Sequence, residues 1–345
     1  MIVDVRAVLE TLVEGRDLDG STVEGLIGAI MDGELEPAQV AGLLVAMRVK
    51  GETAVEVAAA ARAMRTRLLA VAAPVGAVDT CGTGGDGAGT INISTAAALV
   101  AATAGVPVAK HGNRSVSSRC GSADVLEALG VRLDLGPEAL ATLIADVGIA
   151  FLFAPRLHPA MKAVMPVRRA LGVRTVFNLL GPLTNPAAVR RQVMGVWDDE
   201  VQALAAQALA ELGAEHALVV HSDDGFDEFS VTAPTTVVEV RDGAVIGSWS
   251  VGPGDLGIAD RDDGSLWGGD VDSNARRLCA ILAGNEVSAA SEAVALNAAA
   301  ALYVGGAADS LAAGLDRARE VLSSGAAGTT LETLARRSTE LAGGS

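Results

Sequence analysis

Half of the 345 residues are hydrophobic and 20% are charged, enough for one large or two modest domains with a sizeable core, and a disordered chain is excluded. Only 3% are aromatic, so the interior has to be built from Ala, Val and Leu, and platforms for stacking bases are scarce. With 42 acidic against 26 basic residues the net charge is -16, which repels nucleic acid and anionic membranes in bulk, so an anionic ligand needs a local basic pocket.

Over the first 70 residues apolar positions recur with helical period: Val5, Val8, Leu9, Leu12 and Val13, then Val23, Leu26, Ile27 and Ile30, with Gly33 and Gly51 as stops. The start carries charges throughout and has no apolar run of signal-peptide type. A further helix opens at Thr53, where Glu56 completes a capping box, and is expected to run to about Ala73, before Pro74. These features predict a small helical unit over 1–73 and an α/β unit over 74–345. Beyond Pro74, β-like runs (Gly76 to Thr80, Val106 to Lys110, Ile149 to Phe153, Val193 to Trp197, Ala217 to His221) alternate with helical segments. That alternation predicts an α/β fold with a central, mostly parallel sheet covered by helices. The uncharged stretch Ile91 to Ala109 contains Asn92, Ser94, Thr95, Gly105 and Pro107 and reads as a buried helix turning into a strand, not a membrane span. Residues 155–186 have helical character punctuated by five prolines and are expected to cross back to the helical unit. From Asn274 onward the chain is again helical and Ala-rich. Cys81, Cys120 and Cys279 are too few and scattered for a disulfide framework or a zinc site, which fits a reducing, cytoplasmic compartment.

The stretch GTGGDGAGTINIST, 82–95, formally holds G-x-G-x-x-G at Gly82, Gly84 and Gly87. A dinucleotide turn wants an acid about 20 residues on to grip a ribose. None occurs between Asp86 and Asp124. Glycines allow backbone N–H groups to approach an anion, and Ser94 or Thr95 can cap a following helix whose positive end favours phosphate. Thr90, Asn92, Ser94 and Thr95 add polar groups; the competing reading is a tight strand-to-helix turn. In KHGNRSVSSRCGSAD, 110–124, Lys110 can pair with phosphate, and Asn113, Ser117, Ser118 and Ser122 can donate to phosphate or ribose oxygens. Arg114 and Arg119 read equally as surface or interdomain pairs. His111 alone does not separate acid–base work from a structural role. In HSDDGFDEFSVT, Asp227 and Glu228 follow a turn at Gly225 and precede a β-like run; adjacent carboxylates read either as solvated loop charges or, beside a phosphate site, as ligands for Mg2+. Asp223 and Asp224 read as surface charges. Arg168 and Arg169 point about 100° apart on a helix, so only one faces a cleft, and either is compatible with a surface position.

Taken together, GTGGDG at 82–87, NIST at 92–95, KHGNRSVSS at 110–118, GSADVLEALG at 121–130, FNLLGPLTNP at 177–186 and DGFDE at 224–228 resemble the anthranilate phosphoribosyltransferase family of tryptophan biosynthesis. The resemblance extends from the amino-terminal helices to the carboxyl-terminal helical region. It implies a fold similar to the class II nucleoside phosphorylases: a small helical domain, partly built from a later segment, and a larger α/β domain with the cleft between them. It further implies a homodimer through the helical domain, and transfer of phosphoribosyl from phosphoribosyl pyrophosphate (PRPP) to the amine of anthranilate with Mg2+ assistance. By motif, Gly82, Gly85, Asp86, Thr90, Asn92, Ile93, Ser94, Thr95, Lys110, His111, Gly112, Asn113, Arg114, Ser115, Val116, Ser117, Ser118 and Ser122 would surround PRPP. Ser94, Asp227 and Glu228 would hold Mg2+, and Gly82, Asn113 and Arg168 would contact anthranilate. No covalent nucleophile is implied, and no nucleic-acid or membrane partner. Met161, Lys162 and Met165 occupy a stretch in which the family varies. A pyrimidine nucleoside phosphorylase would share the fold without an Mg2+–pyrophosphate clamp, and a non-catalytic anion sensor could keep the loop without the metal pair.

Overall fold

The computed structural model describes residues 4–85, 87, 89–115, 119–259 and 263–343. Four helices open the chain: α1 (Val5–Val13), α2 (Gly20–Met31), α3 (Pro37–Lys50) and α4 (Ala54–Arg65). The capping box at α4 forms as the sequence predicts, with Thr53 Oγ1 accepting from Glu56 N and Glu56 Oε2 from Thr53 N. Glu56 is fully buried, and its carboxylate also receives Lys50 Nζ at 2.8 Å and Leu18 N at 2.9 Å. One cap thereby ties the ends of two helices and a loop. The helix does not reach Ala73. It stops at Arg65, where Arg67 turns back to the Ala63 carbonyl, and the following residues lie along another segment through Leu69 N to Leu157 O and Val71 N to Pro186 O.

The α/β unit follows as β1 (Val78–Asp79), α5 (Ile93–Thr103), β2 (Val108–Gly112), α6 (Ser122–Ala128), α7 (Pro137–Val147) and β3 (Ile149–Phe153). Then come α8 (Ala154–Leu157), α9 (Met161–Leu171), α10 (Phe177–Leu183), β4 (Arg191–Gly195), α11 (Asp199–Glu211), β5 (His216–Ser222), β6 (Thr235–Arg241) and β7 (Ala244–Val251). The chain finishes through α12 (Val271–Leu282), α13 (Ala289–Val304), α14 (Leu311–Ser324) and α15 (Ala326–Gly343). Among the described residues the sheet has seven strands in the order β3-β2-β1-β4-β5-β6-β7, the first five parallel and the last two antiparallel. No strand follows directly on Glu228, contrary to the β-like run expected there; β6 starts only at Thr235.

Two apolar clusters hold the layers. One packs α5, α13 and their neighbours against the sheet; the other joins α1 to α4 with α9, α10, α11 and residues such as Met194 and Val219 on the sheet. The proline-punctuated segment therefore packs on the amino-terminal helices, with Val164, Val167, Phe177 and Leu180 in their core. Residues 91–109 form α5 and the start of β2, and no helix among the described residues is long and apolar enough to cross a membrane. β1 lies between β2 and β4, so the strand order reverses there, and the crevice at the carboxyl end of β1 is where such sheets place ligands.

Candidate functional site

The glycine-rich loop leaves the end of β1 in that crevice. Gly84, Gly85, Gly87 and Gly89 all have positive φ, between 63° and 81°, a conformation that a side chain would strain. Close approach fixes two other glycines. A Cβ on Gly82 would lie 2.9 Å from Asp227 Oδ2, and one on Gly195, at the end of β4, would lie 1.5 Å from the Asp227 carbonyl oxygen. Gly195 O in turn accepts from Thr83 N at 2.9 Å.

Helix α5 begins at Ile93, and its N-cap is Asn92, not Ser94 or Thr95. The Asn92 side chain does not cap the helix because it is engaged elsewhere, donating to Cys120 O and accepting from Asn274 Nδ2 at 3.1 Å. The open helix end is met instead by Glu228, whose Oε1 accepts from Ser94 N at 3.0 Å. Asp227 Oδ2 accepts from Gly84 N at 2.9 Å. The acid pair therefore sits on the amide donors of the loop and the positive pole of α5. Asn297, from the middle of α13, braces it from behind by accepting from Phe229 N and donating to Phe229 O. Asp224 is exposed but not idle: it accepts from Ser230 Oγ at 2.6 Å and Thr232 Oγ1 at 2.7 Å, closing the loop that presents the pair.

Lys110 rises from β2 into the same space. Its ammonium is buried and donates to Thr80 O at 3.1 Å, to Thr80 Oγ1 at 3.2 Å and to Ser94 Oγ at 3.4 Å. Behind it the fully buried Asp79 accepts from His111 N at 3.0 Å and from Asn185 Nδ2 at 2.7 Å. Burial pushes the Asp79 carboxyl up to about 6, against the opposing pull of Lys110 and these donors. His111 Nδ1 lies 3.0 Å from Gly181 O and therefore carries the proton; its Nε2, 3.2 Å from His158 Nε2, accepts from that ring. His158 Nδ1 is left buried without a partner. Burial lowers His111 to about 3, helped by His158, and lowers His158 to about 4, so both rings are neutral at pH 7.

The other expected residues take mixed positions. Thr90 pairs with Trp267 in an isolated bridge, whereas Ile93 is in the core and Thr95 is buried with its hydroxyl unpartnered. Gly112 packs on Phe151 and Ser122, and a Cβ there would lie 2.6 Å from either. Asn113 is exposed, and its carbonyl accepts from Ser122 Oγ at 3.2 Å. Arg114 is a surface residue that pairs with Asp124 and Glu127, and Ser115 N donates to Asp124. Asp86, Val116, Ser117 and Ser118 lie outside the described residues. On α9, Arg169 is exposed and Arg168 half-buried, its guanidinium 5.7 Å from the centre of the Phe177 ring; burial lowers its pKa.

Carboxylate and hydroxyl oxygens from Asp227, Glu228 and Ser94 are the hard donors that suit Mg2+. A different group, Asp79, Cys81 and His111, has donor atoms within 4.8 Å of one another. Its carboxylate and imidazole are already committed to internal hydrogen bonds, and burial raises the Cys81 thiol further from ionisation. Sequence reasoning missed Asp79, His158, Asn185, Gly195 and Asn297, since each acts by gripping a neighbour's backbone or side chain. Asn185 lay inside FNLLGPLTNP, and His158 opens the stretch HPAMKAVMPVRR that carries Arg168, but neither was given a role.

Residues 74–328 match the glycosyl transferase family a/b domain, and residues 6–68 match that family's helical bundle domain. Anthranilate phosphoribosyltransferase of Rubrobacter xylanophilus is 50% identical over 339 residues, which cover 98% of this chain and 99% of that one. The crystal structure of anthranilate phosphoribosyltransferase from Thermus thermophilus superposes with a TM-score of 0.91 at 44% identity, covering 96% of this chain and 99% of that one. The Saccharomyces cerevisiae enzyme in complex with PRPP and Mg superposes with a TM-score of 0.89 at 26% identity, covering 97% and 98%.

Proposed function

This chain belongs to the anthranilate phosphoribosyltransferase family, and from that premise we propose that it transfers the 5-phosphoribosyl group of PRPP to the amino group of anthranilate, for tryptophan biosynthesis. In this transfer the amine nitrogen bonds to the anomeric carbon, the bond from that carbon to oxygen breaks, and pyrophosphate leaves with the electron pair. The amine loses one proton. The observation that carries the reading is the buried Lys110 ammonium set beside Ser94 at the positive end of α5, within a strongly acidic chain.

Negative charge grows on pyrophosphate as the bond breaks, and Lys110, the loop amides and the α5 terminus offset it where it develops. Asp227, Glu228 and Ser94 hold Mg2+, which when bound supplies further charge to the pyrophosphate oxygens. Gly82, Gly85, Asp86, Thr90, Asn92 to Thr95, Lys110 to Ser118 and Ser122 surround PRPP. Arg168 takes the anthranilate carboxylate, with Gly82 and Asn113 beside it. The arylamine is neutral at pH 7 and already nucleophilic, so orientation matters more than a strong base. The unpaired acceptor at His158 and the neutral His111 suit a wall beside a neutral amine better than a charged relay.

The reading includes a cytoplasmic enzyme divided into a helical unit over 1–73 and an α/β unit over 74–345. It includes a homodimer through the helical unit, supported by Val13, 79% exposed on α1, and by Val45 and Val49, one turn apart and exposed on α3. Purified protein should consume anthranilate fluorescence only when PRPP and Mg2+ are both present. Phosphorolysis of thymidine with no activity toward anthranilate would overturn the assignment in favour of a nucleoside phosphorylase.

A further inference from the structure

Arg174 lies in the short link between α9 and α10, outside every motif singled out in the sequence. Its neighbours hold it tightly. Gly172 ends α9 in the left-handed conformation, Thr175 N donates to Asn178 Oδ1 at 3.0 Å as α10 begins, and Arg48 of α3 donates to the Arg174 carbonyl. The side chain then leaves the helical side and reaches the glycine-rich loop. Its guanidinium donates to Gly85 O at 2.6 Å and lies over the Trp197 ring, 4.4 Å from the centroid.

The loop needs such a hold. Its glycines have no side chains to pack, and ordering each backbone residue costs roughly 1 to 2 kcal/mol in lost freedom. Thr83 is fastened to Gly195 O, Gly84 N to Asp227, and Gly89 O to Gly268 N. The Asp227 tether uses a carboxylate assigned above to Mg2+ and an amide assigned to phosphate, so it does not serve once the site fills. Gly85 has Arg174, and Arg174 has Trp197 two residues beyond Gly195, so the end of β4 secures both sides of the loop. Stacking on an aromatic face fixes the plane of a guanidinium without neutralising its charge.

We propose that Arg174 is a positioning residue for PRPP: it clamps the glycine-rich loop by the Gly85 carbonyl, and through its Arg48-bound backbone it ties the loop to helix α3. The inference rests on the reading that the loop takes PRPP. It predicts selectivity between the substrates, because Gly82, the loop residue assigned to both, is held by the separate bond from Thr83 to Gly195, so the anthranilate contact does not pass through Gly85.

The test compares Arg174→Ala, Arg174→Lys, Trp197→Leu and the Ala/Leu double variant at saturating Mg2+. KM for each substrate and kcat are measured, together with hydrogen exchange of the peptide covering 82–90 in the free enzyme. Arg174→Ala should raise KM for PRPP by about 10-fold or more and leave KM for anthranilate within about twofold, with faster exchange in the loop. Lysine should restore part of the loss, since it can reach the carbonyl but cannot stack flat. Trp197→Leu should share the signature and add little in the double variant. Equal rises in both KM values, or a folded Arg174→Lys or Trp197→Leu protein with wild-type KM for PRPP and wild-type loop exchange, would overturn the proposal. Should the wild-type protein fail to consume anthranilate, the functional reading falls by itself. Loop exchange and calorimetry with inorganic pyrophosphate then decide the clamp: weakened binding with faster exchange in Arg174→Ala supports it, and unchanged values for both reject it.

Discussion

Arg168 is where the acceptor assignment can be tested most sharply. Its guanidinium is half-buried on α9, over the Phe177 ring, with Met165 Sδ at 3.9 Å as its hydrogen-bond partner. Burial has already lowered its pKa, so a charge has been partly desolvated with no carboxylate bonded to it among the described residues. A planar fork of this kind matches a carboxylate with two parallel bonds. Removing it should cost about 1.5 to 3 kcal/mol of the preference for anthranilate over aniline, roughly 10- to 150-fold in kcat/KM. The assay is a cycle: both amines, wild type and Arg168→Ala, with PRPP saturating. Arg168→Lys should be impaired as well, because an ammonium lacks the fork. The same desolvation makes a second forecast. An arginine kept for function and not for packing should be replaceable by methionine without loss of thermal stability. Equal slowing of aniline and anthranilate in Arg168→Ala, or a marked drop in the melting temperature of Arg168→Met, would refute the assignment and make Arg168 structural.

Replacing Asp227 with Asn and Glu228 with Gln together should leave the fold intact, cut turnover sharply and raise the Mg2+ concentration needed; an unchanged Mg2+ titration removes them from the site. Lys110→Ala should weaken PRPP binding in calorimetry by about 1.5 to 3 kcal/mol, the scale of a charged hydrogen bond, and wild-type affinity would contradict its role. Gly195→Ala forces a methyl into the Asp227 carbonyl and should destabilise the protein by about 3 kcal/mol, the upper range of overpacking, while raising the Mg2+ requirement; chemical denaturation reads the first effect and the metal titration the second. For the histidines the sign follows from depressed pKa values: the unfolded chain takes up protons below pH 6.5 while folded His158 resists to about 4, so stability is present above 6.5 and is lost as pH falls toward 4. For His158 alone that loss is about 3 kcal/mol, and Asp79, raised to about 6, opposes it by binding a proton earlier when folded. His158→Leu should therefore flatten the acid limb of a stability–pH curve, and parallel limbs for mutant and wild type would refute the argument.

Period and turn chemistry made much of this architecture legible. The helical spacing of Val23, Leu26, Ile27 and Ile30 places α2, the Thr53–Glu56 box places the start of α4, and five parallel strands fall on or beside the five β-like runs. The end of α4 was not legible, since nothing local breaks the pattern after Arg65; long-range bonds from Leu69 and Val71 pull the chain away. The hairpin β6–β7 did carry a local sign, Asp242-Gly243, both with positive φ as a tight two-residue turn requires. Its second strand, AVIGSWSV, is nearly all exposed, and Gly247, Ser248 and Ser250 interrupt its apolar positions. At the site, the residues assigned to the substrates stood out because most of them are polar and clustered. Those that hold them in place are single residues far away in sequence: Asn297 in an alanine helix, Asp79 on a two-residue strand, Gly195 at a strand end.

The charge balance explains why the cleft can receive anions in a chain of net charge -16. Elsewhere arginines are matched with acids, as in Arg62 with Glu24, Arg67 with Asp32, Arg114 with Glu127 and Arg319 with Glu292. In the cleft the pattern changes, for Arg168 lies over Phe177 and Arg174 over Trp197. An aromatic face holds a guanidinium by its quadrupole and leaves the formal charge uncompensated, whereas a carboxylate would cancel it. Lys110 is likewise held by neutral oxygens, Thr80 O and the hydroxyls of Thr80 and Ser94. Of the acids in the cleft, Asp227 accepts from Gly84 N and Glu228 from Ser94 N, both backbone amides. Lys110 also feels the buried Asp79 carboxyl behind it, so part of its charge is offset from the protein side, while Arg168 and Arg174 keep theirs. On the proposed reading, anionic substrates meet the field of Lys110, Arg168 and Arg174 locally, while the acidic surface repels competing polyanions.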